Sequence, residues 1–167
     1  MVNGELALVL HAHLPYVRSV EPNSLEEDWY FQALMECYLP LLETLETAAS
    51  SNSQEPRLTL SLSPTLLSLF IDDKLNKRFP SWIRTRIEIL QSVSIELIEP
   101  ASYLSKKIEL QLDIWNKCKG NLIKRFSDLQ NSEVIDILTC AATHGYLPLL
   151  RENPESIRGQ LKTAVRE

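Results

Sequence analysis

Three histidines, His11, His13 and His144, are the side chains in this sequence whose type and spacing could do chemistry. Imidazole both donates and accepts hydrogen bonds near neutral pH, so it suits sugar hydroxyls or a metal ion. His11 and His13 stand two residues apart, and in extended backbone such a pair points to one side. Both rings can then line one pocket. A single loop histidine bonded to backbone carbonyls would need no such role, but three gathered at one end of a layer favour a shared site.

The acids are less informative. Glu26, Glu27 and Asp28 sit at a helix start, where negative charge suits the macrodipole, and they read as capping residues. Asp72, Asp73 and Glu152 read as acids of surface loops. Trp29 fits either a ring stacked on a sugar face or a core residue, whereas Trp82 and Trp115 carry helical spacing and read as packing. Four glycines, Gly4, Gly120, Gly145 and Gly159, spell no phosphate cradle, and there is no Gly-x-Ser-x-Gly elbow. Cys37, Cys118 and Cys140 are far apart and odd in number, so free, buried thiols are expected rather than a metal or redox motif.

The elements that must position the histidines follow from hydrophobic period. Leu6–Leu10 is a short apolar run and reads as a fully buried strand. A polar loop from about His11 to Ser24 leads to the capping-box spacing of Ser24 and Glu27, which starts a helix. Its stripe runs through Leu34, Tyr38, Leu41, Leu45 and Ala48, with Pro40 inside as a kink. Ala49–Pro56 is turn-like and Arg57–Leu62 alternates as a second strand. Ser63-Pro64 reads as a helix cap with proline in the first turn, and a second helical stripe includes Phe79, Ile83, Ile87 and Leu90. Val93–Ile98 reads as a third strand, a helix runs from Leu104 to Phe126 with Gly120 weakening it, and Val134–Thr139 is a fourth strand. Asn153-Pro154 caps the last helix.

Strand and helix thus alternate through about four units, which predicts an α/β fold with parallel strands. His11 and His13 then follow the first strand and His144 the fourth, all at the carboxyl end of the sheet. That end is where ligands bind, in barrels and open sheets alike.

The composition agrees with a globular α/β chain. The 167 residues are 44% hydrophobic and 23% charged, with a formal net charge of -5. That balance argues against non-specific nucleic-acid binding. The lysines of Lys117–Lys124 read as a solvated helix face. There is neither a signal-peptide pattern nor an apolar window long enough for a membrane span, so a cytoplasmic protein is expected.

The segment Leu8–Arg18, Leu-Val-Leu-His-Ala-His-Leu-Pro-Tyr-Val-Arg, resembles the first signature of family-57 glycoside hydrolases, in particular the branching-enzyme-like subgroup. Leu25-Glu-Glu-Asp-Trp-Tyr and Glu36-Cys-Tyr-Leu-Pro-Leu-Leu resemble the helix after it. Arg57-Leu-Thr-Leu-Ser-Leu-Ser-Pro-Thr-Leu resembles the second strand region, and Ala142-Thr-His-Gly-Tyr-Leu-Pro-Leu-Leu the second signature. The matches fall in order and nearly span the chain. The resemblance implies the amino-terminal part, residues 1–167, of a (β/α)₇ barrel acting on α-1,4-glucans with retention, without metal or cofactor. His11, His13 and His144 would bind hydroxyls of the reacting sugar, with Trp29 adding to the glucan-binding wall.

Such a reaction uses a carboxylate nucleophile and a carboxylic acid/base. In the family these lie in motifs beyond the second signature, and neither occurs here. Glu99-Pro-Ala-Ser-Tyr also matches no family pattern. The expectation is a chain that is not competent alone and whose open sheet edge a second chain could complete. Two alternatives stand beside it. One is a metal-dependent hydrolase, because His-x-His after a first barrel strand is also a metal-ligand arrangement. The other is a non-catalytic module that binds glucan or completes a partner's barrel.

Overall fold

The computed structural model describes residues 4, 6–22, 24–50 and 58–166. The elements in chain order are β1 (Val9–Ala12), α1 (Leu25–Ala33), a π-helical turn (Leu34–Tyr38), α2 (Leu39–Ser50), β2 (Leu58–Leu62), α3 (Pro64–Phe70) and α4 (Asp73–Gln91). A 3₁₀ turn (Ile95–Leu97), α5 (Ile98–Cys118), α6 (Leu122–Asn131), β3 (Ile135–Leu138), a 3₁₀ turn (Leu147–Leu150) and α7 (Pro154–Arg166) complete them. Residues 51–57, read above as a turn and the first residue of a strand, lie outside the described residues. Among the described residues no helix is long and apolar enough to cross a membrane.

The chain divides into two compact units. The first comprises Met1–Tyr16, Leu45–Leu69 and Phe126–Glu167. Its centre is a parallel sheet in the order β1-β2-β3. β2 explains the layering. Its Leu-Thr-Leu-Ser-Leu sequence sends Leu60 and Leu62 to a buried face, 1% exposed each, and Thr59 and Ser61 to the other. Leu66, Leu69, Phe126, Leu129 and Ile135 are buried in the same unit. Ser63 accepts the Leu66 amide at 3.3 Å, so the Ser-Pro cap starts α3 as expected.

The second unit comprises Val17–Thr44 and Phe70–Arg125. Ser24 starts α1 by accepting the Glu27 amide at 3.2 Å. Asp72 starts α4 by accepting the amides of Lys74 and Leu75. Phe31, Phe79, Trp82 and Trp115 form an aromatic core, with ring centroids 5.7 Å apart for Phe31–Phe79 and 4.7 Å for Phe79–Trp115. Both tryptophans are therefore packing residues. In place of a simple kink at Pro40, a π-helical turn over Leu34–Tyr38 precedes the proline. That turn absorbs the donor and the space that proline denies an α-helix.

Four expectations need correction. Val93–Ile98 is not a strand. Ile95–Leu97 forms a 3₁₀ turn that runs into α5, and Ile95 is 82% exposed. Its alternating pattern had no neighbouring strand to pair with, and Pro100 fits the first helical turn, where no amide is needed. The described sheet therefore has three strands rather than four. β1 is shifted to Val9–Ala12 and is an edge strand rather than a buried one, so Leu6 is 94% exposed and Val9 55%. The helix expected from Leu104 to Phe126 breaks into α5 and α6. Lys119 and Gly120 adopt φ of 52° and 72°, and a Cβ on Gly120 would lie 2.8 Å from the Trp115 ring. The cysteines are free, yet Cys37 is exposed and Cys118 and Cys140 are half-buried.

Candidate functional site

The site is built from the face of the sheet that the leucines leave. β1 and β2 pair in parallel with His11 opposite Ser61, and β2 and β3 pair with Ser61 opposite Leu138. Alternation puts Val9, His11, Thr59, Ser61, Asp136 and Leu138 on that face. His11 therefore belongs to the strand, one residue before its end, rather than to the loop after it. The ladder continues one step further, since the Ser63 amide donates to the Ala12 carbonyl at 3.1 Å. His13 is thus carried to Ser63 as His11 is to Ser61.

The side chains close these pairs. His11 Nδ1 lies 3.1 Å from Ser61 Oγ, and His13 Nδ1 lies 2.8 Å from Ser63 Oγ. His144 arrives from the carboxyl end of β3 on a tight turn, its amide donating to the Ala141 carbonyl at 2.8 Å. Its φ is 57°, in the left-handed region that costs a non-glycine residue about 1–2 kcal/mol. The turn brings His144 Nε2 to 2.7 Å from His11 Nε2. Ring centroids are 4.8 Å apart for His11–His144, 4.2 Å for His13–His144 and 6.4 Å for His11–His13. The three histidines singled out by sequence thus converge, all within the first unit.

Proton accounting fixes one tautomer. Thr65 Oγ1 donates to the Leu14 carbonyl at 2.9 Å and spends its only proton there. The 3.2 Å contact between Ser63 and Thr65 hydroxyls then uses the Ser63 proton. For His13 to bond Ser63 as well, the imidazole must donate from Nδ1. His13 Nε2 is left as an acceptor, with no protein partner among the described residues. Burial, followed by the neighbouring His144 and His11 rings, holds the His13 imidazole below its ordinary value of 6.5, so it stays neutral at neutral pH.

Trp29 lies on α1 of the second unit and is 50% exposed. It is not a core residue. The acids at the start of α1 do more than cap. Glu27 is fully buried, with Oε1 accepting from the Ser19 amide at 3.0 Å and from Arg78 at 2.5 Å. Asp28 accepts from Trp82 Nε1 at 2.6 Å and pairs with Arg86. Sequence reasoning missed Ser61, Ser63 and Thr65. The signal was present, because Ser61 and Ser63 repeat the two-residue spacing of His11 and His13 on the adjacent strand.

A metal reading needs a different geometry. Zinc bound at about 2.0–2.1 Å would hold two nitrogens roughly 3.3 Å apart, and the His11 and His144 nitrogens are closer than that. Among the described residues no group of three or more His, Cys, Asp or Glu side chains is arranged to hold a metal ion.

Comparison with known proteins extends these findings. The family model for glycosyl hydrolase family 57 matches residues 7–166. A 1,4-alpha-glucan branching enzyme of Thermococcus kodakarensis is 30% identical over 98% of this chain and 24% of its own length. A probable 1,4-alpha-glucan branching enzyme of Mycobacterium tuberculosis is 27% identical over 90% of this chain and 27% of its own. The chain therefore spans about a quarter of the length of these curated relatives. Among solved structures, the branching enzyme of Pyrococcus horikoshii superposes with a TM-score of 0.88 at 32% identity, over 98% of this chain and 31% of that one. The alpha-amylase AmyC of Thermotoga maritima gives 0.88 at 28% identity, over 99% and 32%.

Proposed function

The chain belongs to glycosyl hydrolase family 57, and on that premise we propose that it is the amino-terminal part of a family-57 catalytic barrel that binds α-1,4-glucan through His11, His13 and His144. The observation that carries this reading is the convergence of three imidazoles at the carboxyl end of one sheet. His13 offers Nε2 as an acceptor to a sugar hydroxyl, while His11 and His144 share a proton that either can donate. The names of the relatives supply the substrate class. Trp29, half-exposed on α1 of the second unit, is an aromatic ring on which a sugar face can stack.

By itself the 167-residue polypeptide binds without turning over. Retaining hydrolysis or transfer places one carboxylate on each side of the scissile bond. Among the described residues no carboxylate hydrogen-bonds any of the three imidazoles; Asp136 shares their face but sits opposite Thr59, toward the amino end of the sheet. The nucleophile and acid/base come from sequence carrying the remaining family motifs, which also completes the barrel.

Calorimetric titration of the 167-residue polypeptide with maltooligosaccharides tests the reading. Saturable binding is expected, weakened about tenfold or more by His13→Ala, as the loss of a half-buried hydrogen-bonding group implies. Amylose incubated with the polypeptide should keep its chain length and branching. Unaltered affinity in folded His13→Ala and His144→Ala variants would refute the assignment of the site.

A further inference from the structure

We propose that Gln160 of α7 is a positioning residue for His144, acting through the residue between them in space, Thr143. The functional half of this inference rests on the carbohydrate reading above. The Thr143 amide donates to Gln160 Oε1 at 2.9 Å, and Gln160 Nε2 donates to Thr143 Oγ1 at 2.8 Å. The Gln160 carbonyl also accepts the Ala142 amide at 3.3 Å. One helical residue thus makes three bonds to the two residues immediately before His144. The side-chain pair is reciprocal. The amide meets a backbone donor and a hydroxyl at once, so the peptide plane of Thr143 is fixed in rotation as well as in place.

His144 needs such a grip. Its backbone stands at φ 57°, and a left-handed non-glycine residue persists only where the surroundings over-determine it. α7 is a firm point of attachment, because Asn153 caps it by accepting the Ser156 amide at 3.2 Å. Gly145 leaves room on the other side. A Cβ there would lie 3.3 Å from Leu150 Cδ1 and 3.7 Å from Gln160 Cδ, so the chain passes close beside the amide. Once the loop is released, the 2.7 Å contact of His144 with His11 loses the geometry that makes it.

Gln160→Leu keeps the shape and removes both hydrogen-bonding atoms. Gln160→Glu keeps an acceptor for the Thr143 amide and another for its hydroxyl proton. In the 167-residue chain, Gln160→Leu is expected to weaken maltooligosaccharide binding about fivefold to tenfold, and Gln160→Glu to restore most of it. In a His144→Ala background Gln160→Leu should cost nothing further, because its effect runs through the imidazole. The nitrogen chemical shifts of His11 and His144 should move together in Gln160→Leu, reporting loss of the shared proton. Unmoved shifts would overturn the positioning role whatever the sugar does. Losses that add in the double variant would overturn it too, as a general effect on folding. Normal affinity in His144→Ala with moved shifts in Gln160→Leu would refute the carbohydrate reading and leave the positioning role standing.

Discussion

At the residue scale the site is governed by where protons reside. The Ser63 and Thr65 hydroxyls, at the start of α3, orient His13 in one tautomer, and burial with two neighbouring rings lowers its proton affinity. The sign of the resulting pH dependence follows. The unfolded chain takes up a proton on His13 near 6.5 and the folded chain resists it, so this stability is complete above 6.5 and is lost as pH falls through the lowered folded value. Urea midpoints compared at about pH 7.5 and about pH 5.5 should therefore converge in His13→Gln relative to the unaltered chain. An undiminished gap would place the titration elsewhere. Sequence alone singled out the three histidines that converge, His11 and His13 as an i, i+2 pair beside a strand and His144 as the residue following another strand, both local patterns. It did not identify the serines that orient them, because that role depends on the register between strands fifty residues apart.

At the element scale, helix ends decide the architecture of the second unit. Gly120 follows a left-handed Lys119 and lies under the Trp115 ring. Gly120→Ala places a methyl group where a buried indole sits and requires a positive φ, so a loss of about 1–2 kcal/mol is expected in chemical unfolding. Stability equal to that of the unaltered chain would show that Trp115 moves aside freely. The caps at Ser24, Ser63 and Asn153 were legible because capping is set by residues three positions apart. The strand expected at Val93–Ile98 failed for the opposite reason. Its alternation is real, but a strand exists only with a neighbour, and here a 3₁₀ turn leads into α5, whose first turn holds Pro100. β1 shows the same limit. Its apolar run marked a strand, while the residues that pair, and so the inclusion of His11, were set by β2.

At the scale of the whole molecule, the three-stranded sheet has two outer strands, β1 and β3. Leu6, Leu8 and Val9 on one flank and Leu138 on the other are half or more exposed. Outer strands with apolar neighbours pair readily with other chains. The 167-residue polypeptide should accordingly sediment as concentration-dependent oligomers, and Val9→Lys should shift it toward monomer, since a charge at an edge disfavours such pairing. Concentration-independent monomers in both would show that the edges are protected by other means. The alternation of strand and helix gave the α/β class from sequence, while the division into two compact units did not show in it. Three of the four unit boundaries fall inside α2, α3 and α6, where helical periodicity runs on without a break, and the fourth falls in the loop after β1, between Tyr16 and Val17.

The contact between His11 and His144 also sets terms for any visitor. The two nitrogens satisfy one another at 2.7 Å, one as donor and one as acceptor. A molecule that comes between them must replace both halves of that bond with a single atom. An alcohol oxygen does so, accepting from one ring while giving its hydrogen to the other. A carboxylate can only accept and an ammonium can only give, so each requires one ring to move its proton to the other nitrogen. As the two rings stand, the pair therefore fits an amphoteric group without a change of tautomer, a preference set by hydrogen-bond polarity rather than by charge.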